Sequence, residues 1–234
     1  MDTSNLGLGL AWYLVFVFSV IFHEAAHALV AMKLGDPTAY HGGQVTLNPV
    51  PHIKREPFGM VIVPLLSYFS GGWMFGWGSA PYDPQWASQY PRRSALMSLA
   101  GPTANLILVL AAAALIRAGM AAGMFSAPDR IIFSQVTTAG GPGLGHALAV
   151  VVSILFTLNL ILLIFNLIPL PPLDGGGVLP LIMTRDSSAR LEAMIHHPMF
   201  SIIGLIVAWN LFDRLFRPVH LFAINLLYPG VGYH

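Results

Sequence analysis

Five long apolar runs set the plan of this chain, at 6–32, 58–77, 95–116, 147–168 and from 200 to about 212, and a shorter apolar stretch follows at 219–227. Runs approaching the ~20 residues of a bilayer-crossing helix read as membrane segments. Pro and Gly mark the joints, at Gly35-Asp36-Pro37, Gly140-Gly141-Pro142-Gly143 and Asp174-Gly175-Gly176-Gly177. The pattern predicts an all-α polytopic membrane protein with about four full spans, one re-entrant segment and a short β-hairpin near the cytoplasmic face. Residues 1–234 then form a single integral membrane domain, with its core at about 6–184 and a C-terminal span and interfacial piece at 199–228.

Composition sharpens this picture. The chain is 56% hydrophobic and 9% charged, with mean hydropathy +0.70, far too little charge to cover a soluble domain of this size. A net charge of +1 argues against a nucleic-acid partner. Without cysteine there is no disulfide and no thiolate metal site. No basic stretch precedes the first run, so it does not read as a cleaved signal.

The positive residues orient the bundle. Lys33, Lys54, Arg55, Arg92, Arg93, Arg185 and Arg190 flank one set of ends, and Arg117, Arg130, Arg214 and Arg217 the other. The denser set is expected to be cytoplasmic. Lys54-Arg55 before the second run and Arg92-Arg93 after it then share a side, so 58–77, interrupted by Pro64 and Gly71-Gly72, is expected to turn back as a re-entrant hairpin, the other reading being an ordinary span that leaves Arg92-Arg93 outside.

Chemistry enters at His23-Glu24-Ala25-Ala26-His27, inside the first run, where no charge precedes Glu24 back to Asp2. HExxH places two imidazoles at i and i+4 on one helix face, where both can ligate one zinc ion, and sets Glu24 beside them as general base. A catalytic zinc takes three protein ligands. Asp174 is the sole charged residue between Ile131 and Thr184, and intramembrane ionisable groups are costly enough to mark sites. Pro169, Pro171 and Pro172 force the fourth run to unwind just before it. The depths match, since His27 lies six residues before Lys33 and Asp174 eleven before Arg185. The other reading of Asp174 is a cap on the Gly-Gly turn that follows it.

HEAAH in an apolar helix, together with Asn166-Leu-Ile-Pro169-Leu-Pro171-Pro172-Leu-Asp174-Gly-Gly, resembles the site-2 protease family of intramembrane zinc metalloproteases. Gly35-Asp36-Pro37-Thr38-Ala39, Gln44-Val45-Thr46-Leu47-Asn48-Pro49, Gly76-Trp77 and Ala100-Gly101-Pro102-Thr103-Ala104-Asn105 extend the likeness over roughly residues 10–180. The resemblance implies one Zn2+ on His23, His27 and Asp174, Glu24 as catalytic base, and Asn166 as a polar group stabilising the tetrahedral intermediate. It implies hydrolysis of peptide bonds in membrane-spanning protein substrates, near the cytoplasmic side of a prokaryotic plasma membrane, with the lipid bilayer as surroundings. With no PDZ or CBS module, the chain looks like a compact subgroup. It departs from the pattern at Gln44, where relatives carry Arg, and at Glu56, where they carry Asp.

Other residues have two readings. Asn166 suits an interhelical hydrogen bond as well as catalysis. Asn105 suits substrate positioning or close helix packing. The run Val45-Thr46-Leu47 reads as an edge strand that pairs with an unwound substrate, or as a plain hairpin. Asn159 reads as a bundle hydrogen bond, His52 as a solvated loop residue, and Trp73, Trp77 and Trp86 as an interfacial belt. His41, His146, His196, His197 and His234 read as surface or terminal groups. Two other function classes remain open at this point, a divalent-metal transporter and a non-catalytic pseudoprotease that binds membrane helices. A prenyl-protein type of protease would be expected to use a glutamate as third ligand, and Glu56 and Glu192 lie outside the apolar runs.

Overall fold

In the computed structural model, residues 3–184, 186–188, 191 and 198–234 are described. Arg185, Arg190, Glu192, His196 and His197 therefore lie outside the described residues. Helix α1 (Thr3–Leu34) carries HExxH near its end. Short helices α2 (Thr38–His41) and α3 (Pro49–Arg55) follow, the second capped by the Asn48 side chain, which accepts from the Val50 amide. Helix α4 (Phe58–Gly71) opens with a wide π turn where Pro64 withholds an amide, and it stops at Gly72 in the left-handed region (φ 73°). Next come α5 (Pro84–Gln89) and the long α6 (Pro91–Ala121). Strands β1 (Phe125–Ser126) and β2 (Thr138–Ala139) pair antiparallel before α7 (Leu144–Asn166). Helix α8 (Asp174–Val178) and α9 (Pro198–Leu227) complete the described chain.

Four helices, Leu6–Leu34, Pro91–Ala121, Leu144–Asn166 and Met199–Leu227, are long and apolar enough to cross a membrane. The expected plan of four spans and a small antiparallel sheet holds. The second run folds back on itself. After Gly72 the chain returns without helix or strand, and the Trp77 amide donates to the Gly59 carbonyl at 3.2 Å. A side chain on Gly76 would collide with the Gly59 carbonyl, so the two arms can touch only because both positions are glycine.

Three expectations need correction. Residues 45–47 form bends, and no strand runs through 44–48. The Asn48 side chain is committed to the cap, the Asn48 backbone amide donates to Thr46 Oγ1, and the Thr46 carbonyl accepts from His52 Nε2, so that backbone has no strand partner. The sheet lies instead between α6 and α7, at the end of the bundle away from HExxH. Residues 200–212 and 219–227 are one helix, because Pro218 removes a single hydrogen bond that a continuous apolar helix tolerates. Trp86 is 6% exposed, packed with Ala31 and Met97 rather than set in a belt.

Two apolar clusters hold the bundle. Trp12, Phe16 and Val20 of α1 pack with Met60 and Met74 of the hairpin and Ile154 and Leu158 of α7. Further along, Ala112 and Ile116 of α6 pack with Phe156 of α7 and Phe216 and Ile224 of α9. Arg117 donates to the Leu227 carbonyl, joining the far ends of α6 and α9. Thus α1 and α7 both end, and α6 and α9 both begin, at one end of the bundle.

Candidate metal centre

That shared end gathers the three predicted ligands. His23 Nε2 lies 3.1 Å and His27 Nε2 3.3 Å from the two oxygens of Asp174, and the two Nε2 atoms are 2.9 Å apart. Tetrahedral zinc with bonds of about 2.0–2.2 Å spaces its ligand atoms about 3.3–3.6 Å apart, close to what these side chains already adopt. His27 Nδ1 donates to the Met97 carbonyl at 2.7 Å, and His23 Nδ1 meets Asn105 Oδ1 at 2.6 Å. With Nδ1 protonated on both rings, each neutral imidazole turns a bare Nε2 toward the same point. Two lone pairs and a carboxylate there repel one another unless a cation lies between them, so the residues fit a divalent metal.

The local sequence explains the convergence. His23 and His27 share a face of α1 by their spacing. A Cβ on Gly101 would collide with both imidazoles, so only glycine lets α6 close over them. Helix α7 ends at Asn166, as its prolines require, and Asp174 opens α8.

Beside His23, His27 and Asp174 opens a cavity of about 940 Å3, lined by Glu24, Asn166, the return arm from Phe75 to Ala80, and Leu205, Ile206, Trp209 and Asn210 of α9. Glu24 is 6% exposed, and a Cβ placed on Gly78 would stand 2.7 Å from its Cγ. The return arm, not 44–48, therefore runs beside the glutamate. Ser79 pins that arm. Its carbonyl accepts from Gln44 Nε2 (3.0 Å), and its hydroxyl accepts from Arg55 Nε (2.9 Å) and donates to Glu56 (2.6 Å). The two departures from the family pattern, Gln44 and Glu56, thus meet at one serine.

Sequence similarity decides the family. The model of peptidase family M50 matches residues 11–207. The chain belongs to peptidase family M50. Among its M50 relatives is YwhC of Bacillus subtilis (strain 168), provisionally named a zinc metalloprotease, 37% identical over 91% of this chain and 96% of its own. Two more, each named Rip2 and likewise provisionally a zinc metalloprotease, come from Mycobacterium tuberculosis (strain ATCC 25618 / H37Rv) and Mycolicibacterium smegmatis (strain ATCC 700084 / mc(2)155). The first is 30% identical over 86% of this chain and 68% of its own. The second is 27% identical over 88% and 70%. No solved structure matches the chain significantly.

For an M50 chain, the site differs from expectation in four places. Asn105 is fully buried behind His23 and is not among the residues lining the cavity. Val45, Thr46 and Leu47 do not line it either. His52, expected in solvent, is 2% exposed with Nε2 on the Thr46 carbonyl. The return arm 75–80 was missed as a site wall, although Gly76-Trp77 was among the family matches. His41, His146 and His234 are exposed, as expected.

Proposed function

We propose that this metalloprotease hydrolyses peptide bonds of membrane-spanning protein substrates, with one zinc ion held by His23, His27 and Asp174. The observation that carries the reading is the meeting of those three side chains beside a cavity walled by membrane helices. When bound, zinc supplies a Lewis acid that polarises the scissile carbonyl and acidifies a water at this point. Glu24 takes the proton of the attacking water and delivers it to the leaving amine. Asn166, at the cavity wall, donates to the developing oxyanion. A substrate helix must unwind to expose its carbonyls, and the return arm 75–80, whose Gly78 lies against Glu24, walls the cavity where the freed strand would lie.

On this reading 1–234 is one membrane domain, with its catalytic core at 6–184 and a C-terminal span at 199–228. Lys33, Lys54, Arg55, Arg92 and Arg93 all lie at the metal end of the chain's elements, which supports a cytoplasmic position for the site in a prokaryotic plasma membrane. A transporter would need polar groups along a route through the bundle. The described cavity is instead walled largely by apolar side chains beyond the ligands.

The test is zinc content and cleavage measured together in proteoliposomes carrying a single-span reporter. The wild type should hold about one zinc per chain and cut the reporter, with loss on chelation and recovery on zinc. Asp174→Ala should lose both, because removing one of three protein ligands leaves an incomplete site. Zinc-independent cleavage, or zinc uptake without cleavage, would overturn the proposal.

A further inference from the structure

Behind His23 runs a line of polar side chains that touches neither solvent nor the cavity. Ser19 of α1, Asn105 of α6 and Asn159 of α7 are each 0% exposed. Asn105 Oδ1 faces His23 Nδ1 at 2.6 Å, and Asn105 Nδ2 donates to Asn159 Oδ1 at 2.8 Å. Asn159 Nδ2 in turn donates to Ser19 Oγ (2.9 Å) and to the Leu155 carbonyl (2.8 Å).

The direction of this line is set at its far end. A backbone carbonyl only accepts, so the Leu155 oxygen holds Asn159 with its NH2 outward and its oxygen toward Asn105. That oxygen holds Asn105 the same way, which leaves Asn105 Oδ1 facing His23. The proton of His23 must then sit on Nδ1, and Nε2 is left bare toward the metal point. His27 receives the same instruction in one step, from the Met97 carbonyl. Turning Asn159 over would set oxygen against oxygen at Leu155 and NH2 against NH2 at Asn105, and turning Asn105 over would set oxygen against oxygen at Asn159. A bond that merely tied α6 to α7 would not require the Asn105 oxygen to be committed to His23.

We propose that Asn105 and Asn159 are positioning residues that fix the tautomer and ring plane of His23 as a metal ligand. The inference rests on the reading of His23 as a ligand. Such outer partners of metal-bound histidines typically change metal affinity about 10–100-fold when removed. Asn159 touches no ligand, so it acts only through Asn105.

The test is zinc affinity by chelator competition on the purified wild type, Asn105→Leu, Asn159→Leu and the double variant, with helix content and thermal midpoint of the zinc-free forms as fold controls. Asn105→Leu should weaken zinc about 10–100-fold, and Asn159→Leu by a smaller factor. The double variant should match Asn105→Leu alone. Asn105→Asp keeps an acceptor for the His23 proton and should bind zinc more tightly than Asn105→Leu. If the leucine variant does not fold, Asn105→Asp and Asn159→Leu decide, the first expected to stay nearer the wild type than the second. Unchanged affinity in Asn105→Leu or Asn159→Leu, or effects that add in the double variant, would overturn the inference. A wild type that binds no zinc would instead overturn the metal-site reading beneath it.

Discussion

At the residue scale, HEAAH and Asp174 are legible as costly groups placed in apolar surroundings, because a charge inside a membrane segment persists where a site requires it. The role of Asn105 is not legible. A buried amide can face any of several helices, and which one depends on the register of α6 against α1, which no local pattern encodes. His52 escapes for the same reason, since its burial comes from the loop fold around Thr46 rather than from its neighbours in sequence. Gly101 is the smallest part with the largest leverage. Gly101→Ala forces a methyl into both imidazoles, and over-packing of this kind costs about 1–3 kcal/mol. The variant should bind zinc about tenfold more weakly, read by the same chelator competition. Wild-type affinity would show that α6 can back away from the ligands at no cost.

At the element scale, the apolar runs locate every spanning helix, and three prolines locate the end of α7. The strand assignment fails because alternation over 44–48 is too short a signal, and Asn48 serves as a helix cap instead. The arm at 73–83 carries Gly, Trp, Phe and Pro without a period, so nothing in it announces an irregular arm beside the glutamate. Its position hangs on Ser79. Gln44→Ala removes the amide that holds the Ser79 carbonyl, an interaction worth about 1 kcal/mol. We expect a several-fold fall in kcat/KM on a membrane reporter with zinc content unchanged. Loss of zinc in step with activity would show that the arm supports the ligands rather than the substrate.

At the scale of the whole molecule, the crossing count decides whether a site can form. His27 and Asp174 meet because α1 and α7 run the same way with one full crossing, α6, between them, while the second run returns to the side it left. The charge pattern alone points to this turn. Single cysteines report it, since the chain has none of its own. Ser88→Cys, after the hairpin, should react with a membrane-impermeant reagent from the cytoplasmic side, and Gly140→Cys, beyond α6, from the opposite side. The reverse labelling would invert the orientation, and labelling of both from one side would break the crossing count.

All three scales meet in one claim, that Glu24 works on a water at a zinc site built for substrates in the membrane. The most direct measurement compares the wild type with Glu24→Gln in proteoliposomes, at matched zinc content, on a single-span reporter whose cut site is mapped by mass spectrometry. We expect a cut within or beside the reporter's span by the wild type, and a rate lower by about 10²–10⁴-fold in the variant, the range set by loss of general-base catalysis. Equal rates in the two proteins at equal zinc would contradict the claim.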